Sequence, residues 1–262
     1  MIKPKKRFGQ NFLQDKIIIE NIISAINPQK DDAIVEIGPG TGALTFKLLK
    51  ITCKLDAIEL DRDLIDNLRN KSKNLGEIDI HNSDALEFDF NKIYKTQKLR
   101  IVGNLPYNIS TPIIFHLLNY LDIIQDMHFM LQKEVVDRIT AKPGNKQYGR
   151  LSIMTQYFLI TEKLFDVPPE AFYPAPKVDS SIIRLTPKKV TFPTKNIKNL
   201  QLVVTLAFQQ RRKTLKNTLK KLITEEQLIS LNIDPSVRPE QLSVDDFVRI
   251  SNSLENPNTE NP

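Results

Sequence analysis

The chain has 262 residues, of which 40% are hydrophobic, with one cysteine and a formal net charge of +6. That suffices for one large domain and a small one. No apolar run approaches the roughly 20 residues of a membrane span, and Met1-Ile-Lys-Pro-Lys-Lys-Arg lacks the apolar stretch of a secretory signal. A lone cysteine, expected inside a strand over 51–58, excludes a disulfide framework. His81, His116 and His128 are scattered and read as surface or packed residues, so no metal site is expected. A reducing, cytoplasmic setting follows as the default.

The charge is unevenly placed. Residues 1–14 carry four basic residues and no acids, and 188–221 carry ten and again no acids. Residues 222–262 hold eight acids against two arginines. Two basic segments on a near-neutral body suggest a polyanion partner, nucleic acid above all. A solvated lysine-rich face is the alternative.

In chain order, a basic arm with two aromatics, Phe8 and Phe12, leads into a helix from Asp15 to about Ala25. Its apolar positions keep helical spacing, and Asn27-Pro28 ends it. A strand over 34–37 runs into Gly38, Gly40 and Gly42, and a helix follows over 44–50. Next come a strand over 55–60 closing on Glu59 and Asp61, a helix over 62–72, and a short strand over 78–81 meeting Asn82-Ser83-Asp84. Leu99 to Val102 is the next strand, followed by Gly103-Asn104-Leu105-Pro106-Tyr107. Ser110-Thr111-Pro112 signals a helix over 113–121. A strand over 127–131, helices over 134–141 and 151–158, and strands over 159–166 and 180–186 complete this half. Strands alternating with helices predict a parallel, doubly wound sheet, one of whose last two strands runs antiparallel. Beyond Thr186-Pro187-Lys188 strand signals vanish. Helices are expected near 197–209, 211–223, 225–231 and 243–253, with a break near Gln210.

The glycine loop lets a tight turn pass close to a ligand at a helix N-terminus. Gly38, Gly40 and Ala43 satisfy the relaxed dinucleotide pattern, so NAD is a candidate. Glu59, 17 residues after Gly42, stands where a carboxylate accepts from ribose hydroxyls, or is a solvated strand-end acid. Asp84 could accept from an adenine amino group or cap a turn. Asn104 both donates and accepts. Pro106 stiffens the loop, and Tyr107 offers a face on which a flat base could stack. The alternative for this stretch is an ordinary turn between strand and helix. All four strand ends face the crevice where open α/β sheets bind ligands.

Together, Glu36-x-Gly38-x-Gly40-x-Gly42, Glu59, Asp84 and Asn104-Leu-Pro-Tyr107 resemble the successive motifs of class I S-adenosylmethionine-dependent methyltransferases of the N6-adenine kind. More narrowly, the chain is similar to the small-subunit ribosomal RNA adenine dimethyltransferases over about 10–250. Gly9-Gln-Asn-Phe-Leu13, Phe172-Tyr-Pro-Ala-Pro-Lys-Val-Asp-Ser180 and Gln210-Arg-Arg-Lys-Thr-Leu-Lys-Asn217 carry that narrower likeness. No motif position departs from the family pattern. The resemblance implies a Rossmann-like class I methyltransferase sheet (1–187, with the basic arm), a small C-terminal all-helical RNA-binding domain (188–254) and a disordered tail (255–262).

It further implies that S-adenosyl-L-methionine is held by Asn11, Leu13, Gly38, Glu59, Asp84 and Asn104. Asn104, Leu105, Pro106, Tyr107 and Phe172 would serve catalysis, the two rings stacking on the base, although Phe172 alone reads as core. The arm around Phe8–Phe12 would close over the site, or else pack as a hydrophobic staple. Arg211, Arg212, Lys213 and Lys216 would bind RNA. The implied reaction dimethylates N6 of two adjacent adenosines in a hairpin loop near the 3′ end of small-subunit ribosomal RNA, within a pre-30S particle. A monomer acting without metal or membrane is expected. Two neighbouring readings stay open: a large-subunit adenine N6-methyltransferase of the macrolide-resistance type, and an assembly factor whose binding outweighs its catalysis.

Overall fold

The computed structural model describes residues 4–5, 9–210 and 212–254. Phe8, Arg211 and the tail 255–262, for which expectations were stated, lie outside the described residues. The chain begins with a two-residue strand, β1 (Phe12–Leu13), and helix α1 (Lys16–Ile26). The Asp15 side chain caps α1 by accepting from the N–H groups of Ile17 and Ile18, and the left-handed Asn27 (φ 48°) ends it. Then follow β2 (Ala33–Ile37), α2 (Thr45–Thr52), β3 (Lys54–Ile58), α3 (Arg62–Ser72), β4 (Glu77–His81) and β5 (Leu99–Asn104). After them come α4 (Ser110–Leu117), β6 (Ile124–Gln132), α5 (Lys133–Thr140), α6 (Arg150–Phe158), β7 (Leu159–Val167), β8 (Phe172–Tyr173) and β9 (Ser180–Pro187). Helices α7 (Ile197–Phe208), α8 (Leu215–Leu219), α9 (Glu225–Ser230) and α10 (Val244–Ser253) close the described chain. None of the helices among the described residues is long and apolar enough to cross a membrane.

Seven strands form one sheet in the order β4-β3-β2-β5-β6-β9-β7. The β4/β3, β3/β2, β2/β5 and β5/β6 pairs are parallel, and β9 runs antiparallel to β6. The expected mixed α/β sheet is therefore present. The order reverses between β2 and β5, which opens a crevice at their carboxyl ends. On one face Ile34, Val102, Met130 and Ile182 share a core with Ile19, Ile22, Ile23 and Ile26 of α1 and Leu48 and Leu49 of α2. Each such side chain contributes roughly 1.5–3 kcal/mol when fully buried. At the opposite strand ends the buried Arg100 guanidinium bonds Asp32, Asp126 and the Ile26 carbonyl. It thereby fastens the end of α1 to β5 and β6.

Several expectations need correction. Cys53 is not inside a strand; it is the left-handed cap of α2 (φ 60°). Strand β5 continues to Asn104, so that residue ends a strand instead of starting a loop. Ser110 and Thr111 lie within α4, not before it. The helix expected over 211–223 is confined to Leu215–Leu219. Its first N–H groups are taken by the Val237 and Pro235 carbonyls, and after Leu219 the chain tightens, with the Leu222 N–H donating to the Leu219 carbonyl. The pair β1/β8, Phe12 opposite Tyr173 and Leu13 opposite Phe172, was not anticipated.

The chain divides into two compact units. One holds the described residues through Val136 together with Ile160–Pro187; the other holds Asp137–Leu159 and the described residues from Lys188 on. The boundary after Pro187 was expected, but residues 137–159 join the helical unit instead of the sheet unit. Their polar and aromatic groups explain this. The Tyr157 hydroxyl accepts from the Thr194 N–H at 2.8 Å. The Glu240 carbonyl accepts from the Gly144 N–H at 2.7 Å. Tyr148 meets the Phe208 ring, which in turn stacks near Phe247.

Candidate active site

The carboxyl ends of β2, β3, β4 and β5 open onto a cavity of about 360 Å³, within the range of roughly 300–1,000 Å³ usual for small-molecule sites. Asn11, Leu13, Gly38, Glu59, Asp84, Asn104, Leu105, Pro106, Tyr107 and Phe172 all line it. The ten residues that sequence reasoning placed at a cofactor or catalytic site thus share one cavity, within one unit. For Gly38, Glu59, Asp84 and Asn104–Tyr107 the convergence follows from topology, since parallel strands deliver their carboxyl ends to the same edge, while Asn11, Leu13 and Phe172 arrive through the β1/β8 pair.

Glu59 forms the polar back of this cavity and is only 6% exposed. One carboxylate oxygen accepts from the Gly40 N–H at 3.1 Å and the other from the Asp61 N–H at 2.8 Å. Burial raises its pKa, the two N–H bonds pull it back, and the Asp61 charge raises it again. Each oxygen keeps a lone pair for a further donor. Such an acceptor-only wall fits a ligand with a vicinal diol. Gly38, at φ 68°, takes a backbone conformation open to glycine, and nothing comes closer than 3.9 Å to the position of a Cβ on it. The backbone there is bare toward the cavity. One Asp84 oxygen accepts from the Leu86 N–H at 2.9 Å in a turn, and the residue lines the cavity as well.

Glu36, on β2, is buried and accepts from the Thr45 hydroxyl at 2.6 Å. Burial pushes its carboxyl up to about 7, against the pull of Thr45 and with the help of the Glu59 charge. The group is protonated more readily in the folded chain than in the unfolded one. It therefore adds stability that is fully present below 4.5 and is lost as pH rises through about 7. At about 1.4 kcal/mol per pK unit the effect reaches about 3 kcal/mol. Urea melts at pH 4.5 and 8 should show the native chain losing stability relative to Glu36→Gln as pH rises. An identical pH slope in both proteins would contradict the assignment.

The loop after β5 is held from several sides. The Asn104 side-chain nitrogen donates to the Asn11 backbone carbonyl at 3.1 Å. The Leu105 N–H donates to the Met130 carbonyl. The Tyr107 hydroxyl lies 2.9 Å from the fully buried Ser180 hydroxyl, and burial raises the phenol pKa. Phe172 is 6% exposed; it packs with Leu13, Val102 and Met130 and also lines the cavity. Sequence reasoning missed Ser180 as the partner of Tyr107 and Gly103 as a packing position. A Cβ on Gly103 would stand 2.6 Å from the Ile37 carbonyl. A glycine immediately before the Asn-Leu-Pro-Tyr stretch was the available signal.

The arm passes beside this loop at Gly9 and is fastened at the start of α3. Asp61 caps α3 and takes the Lys5 ammonium at 2.6 Å and the Gln10 amide at 3.0 Å. Partial burial would raise the Asp61 pKa, but Lys5 and Gln10 outweigh it and hold the carboxyl below its usual value. Of the expected RNA contacts, Arg212 and Lys213 are exposed between α7 and α8, and Lys216 on α8 pairs with Glu225 at 3.4 Å. They belong to the helical unit.

The sequence matches the family described as ribosomal RNA adenine dimethylase over residues 1–256. It is 57% identical over 251 residues to the ribosomal RNA small subunit methyltransferase A of Marinobacter nauticus, covering 95% of this chain and 91% of that one. It is 53% identical to the protein of the same name from Coxiella burnetii, covering 95% and 97%. Among solved structures, a dimethyladenosine transferase from Plasmodium falciparum matches with a TM-score of 0.80 at 28% identity, covering 91% of this chain and 95% of that one. The 23S rRNA methyltransferase ErmE matches with a TM-score of 0.75 at 24% identity, covering 93% and 99%, a likeness of fold alone.

Proposed function

From the premise that the chain belongs to the ribosomal RNA adenine dimethylase family, we infer that it methylates adenosine N6 in small-subunit ribosomal RNA. It is a methyltransferase that uses S-adenosylmethionine, which supplies a methyl group already electrophilic on its sulfonium. The observation that carries the site assignment is the meeting of the Glu59 carboxylate, Asp84 and the Asn104–Tyr107 loop in one cavity.

In the proposed arrangement Glu59 accepts from the ribose hydroxyls and Asp84 from the adenine amino group of the cofactor. Asn11, Leu13 and Gly38 complete its binding surface. The chemical difficulty lies in the target amine, whose lone pair is delocalised into the base. The Asn104 amide oxygen and the Leu105 carbonyl accept from N6–H and draw the nitrogen toward tetrahedral geometry. Pro106 stiffens their loop, and Tyr107 and Phe172 grip the base from its two faces. Positioning is the main catalytic device. The dipoles of the accepting oxygens favour the positive charge that develops on nitrogen.

The target adenosine must leave its stack to enter such a cavity. Two adjacent adenosines in a hairpin loop near the 3′ end, presented by a pre-30S particle in the cytoplasm, suit that requirement because loop bases are already splayed. Arg211, Arg212, Lys213 and Lys216 bind phosphates, which makes affinity fall with salt. The protein acts as a monomer without metal. Large-subunit RNA as target is not favoured by the relatives, whose names specify the small subunit. Unmethylated small-subunit particles and large-subunit RNA, incubated side by side with labelled cofactor, should show label in the small-subunit RNA. Label confined to the large-subunit RNA would overturn the reading.

A further inference from the structure

An asparagine that must accept a hydrogen bond from an amine can fail by turning over. Its amide has one acceptor end and one donor end of nearly equal size. With the oxygen toward the cavity, Asn104 receives N6–H. With the nitrogen there, it would donate into the lone pair that must attack the methyl group. Something has to select the first orientation.

The Asn11 backbone carbonyl can do so. It is purely an acceptor, and it stands 3.1 Å from the Asn104 side-chain nitrogen. The partner lies 93 positions away in sequence, on the arm, and not in β5 or the loop after it. That carbonyl is itself held on both sides. Before it, Gln10 is tied to Asp61, and Gly9 passes so near the catalytic loop that a Cβ there would stand 3.3 Å from Asn108 Oδ1. After it, Phe12 and Leu13 pair with Tyr173 and Phe172, and the Gln14 N–H donates to the Ala171 carbonyl at 2.8 Å. The Phe12 ring lies against Gly40, where a Cβ would come within 3.3 Å of it. Asp61 also donates its N–H to Glu59. The arm is thus seated on the loop that follows Asn104 and on the two elements that form the cofactor side.

We propose that the backbone carbonyl of Asn11 is a positioning group that fixes the Asn104 amide with its oxygen toward the substrate amine, so that seating of the arm sets the competence of the catalytic loop. The proposal rests on the N6-methyltransferase reading of this cavity. It adds a role for the arm apart from covering the cofactor: a change in the arm alters turnover even when cofactor is saturating.

The test is an epistasis experiment on the full chain. The arm is loosened by the pair Gln10→Ala and Phe12→Ala, and methyl transfer is measured in single turnovers at saturating cofactor and RNA. Losing one net hydrogen bond corresponds to roughly a tenfold fall, and that is the fall expected with Asn104 present. The same arm change is then made in Asn104→Asp, whose two carboxylate oxygens are equivalent and have no donor for Asn11. There it should cost little further rate. Equal falls in both backgrounds would overturn the proposal while leaving the assignment of Asn104 to catalysis intact. A second readout needs no turnover. The Asn104 side-chain amide resonances, identified by their loss in Asn104→Asp, should show slow solvent exchange in the native chain and fast exchange in the arm variant. Unchanged exchange would equally overturn it. Loss of turnover in Asn104→Ala tests the underlying reading separately.

Discussion

Asn104→Ala should lower the single-turnover rate of methyl transfer by about 10²–10³-fold or more at saturating cofactor, the scale found when one oriented polar group is removed from a transition state. The substitution removes the oxygen proposed to accept N6–H but leaves the backbone of β5 and the Leu105 carbonyl in place. It also leaves the Asn11 carbonyl without its partner, at the edge of a cavity that water can enter. The melting temperature should therefore move little while the rate collapses. The contrast matters because Asn104 is half-buried at a strand end, where a purely structural residue would show the opposite pattern. Turnover within about threefold of native would sink the proposed mechanism, since the loop's other amide, Asn108, also lines the cavity but has its oxygen beside Gly9 of the arm.

Glu59→Ala should weaken S-adenosylmethionine binding by about 10²–10⁴-fold, measured by calorimetry. Hydrogen bonds to a charged group contribute about 1.5–3 kcal/mol each, and the proposed contact involves two hydroxyls. Removal also strips the Gly40 and Asp61 N–H groups of the acceptor they share, so the glycine loop loses its anchor as well as its ligand contact. Binding to small-subunit particles should stay close to native, because the basic segment carries that affinity in the proposed division of labour. Loss of both together would argue that the site and the RNA surface are not separable. The sign with pH is also determined. The ionised carboxylate is the acceptor, and its pKa is raised by burial. Cofactor affinity should fall as pH drops through that raised value, sooner than for an ordinary exposed glutamate.

Much of the fold was legible because local chemistry carried it. Alternating strands and amphipathic helices leave a period that can be read directly, and Asp15 and Asn27 bound α1 by side-chain capping and a left-handed turn. The site was legible for a related reason. In a parallel sheet each strand end is a predictable place, so the glycine loop, Glu59, Asp84 and Asn104 could be set on one edge from spacing alone. Where local signals were weak, the reading failed. Cys53 was placed in a strand although it caps a helix, because its apolar neighbours fit either element. Helix α8 is shorter than its leucine spacing suggested, because carbonyls of Pro235 and Val237 fix its start and a tighter turn ends it.

By itself, then, the sequence determined most of the longer helices and strands and the strand-end positions of the glycine loop, Glu59, Asp84 and Asn104, since those depend on period, capping and strand direction. Only the tertiary structure decided how these side chains are held. The two-residue strands Phe12–Leu13 and Phe172–Tyr173 have no periodicity to announce their pairing. The Asn11 bond to Asn104 and the Ser180 bond to Tyr107 depend on partners far away in the chain, and the raised pKa of Glu36 depends on burial. The same holds for residues 137–159, whose helices look ordinary in sequence and join the helical unit through Tyr148, Tyr157 and Gly144. Contacts of that kind arise from packing, which local sequence does not encode.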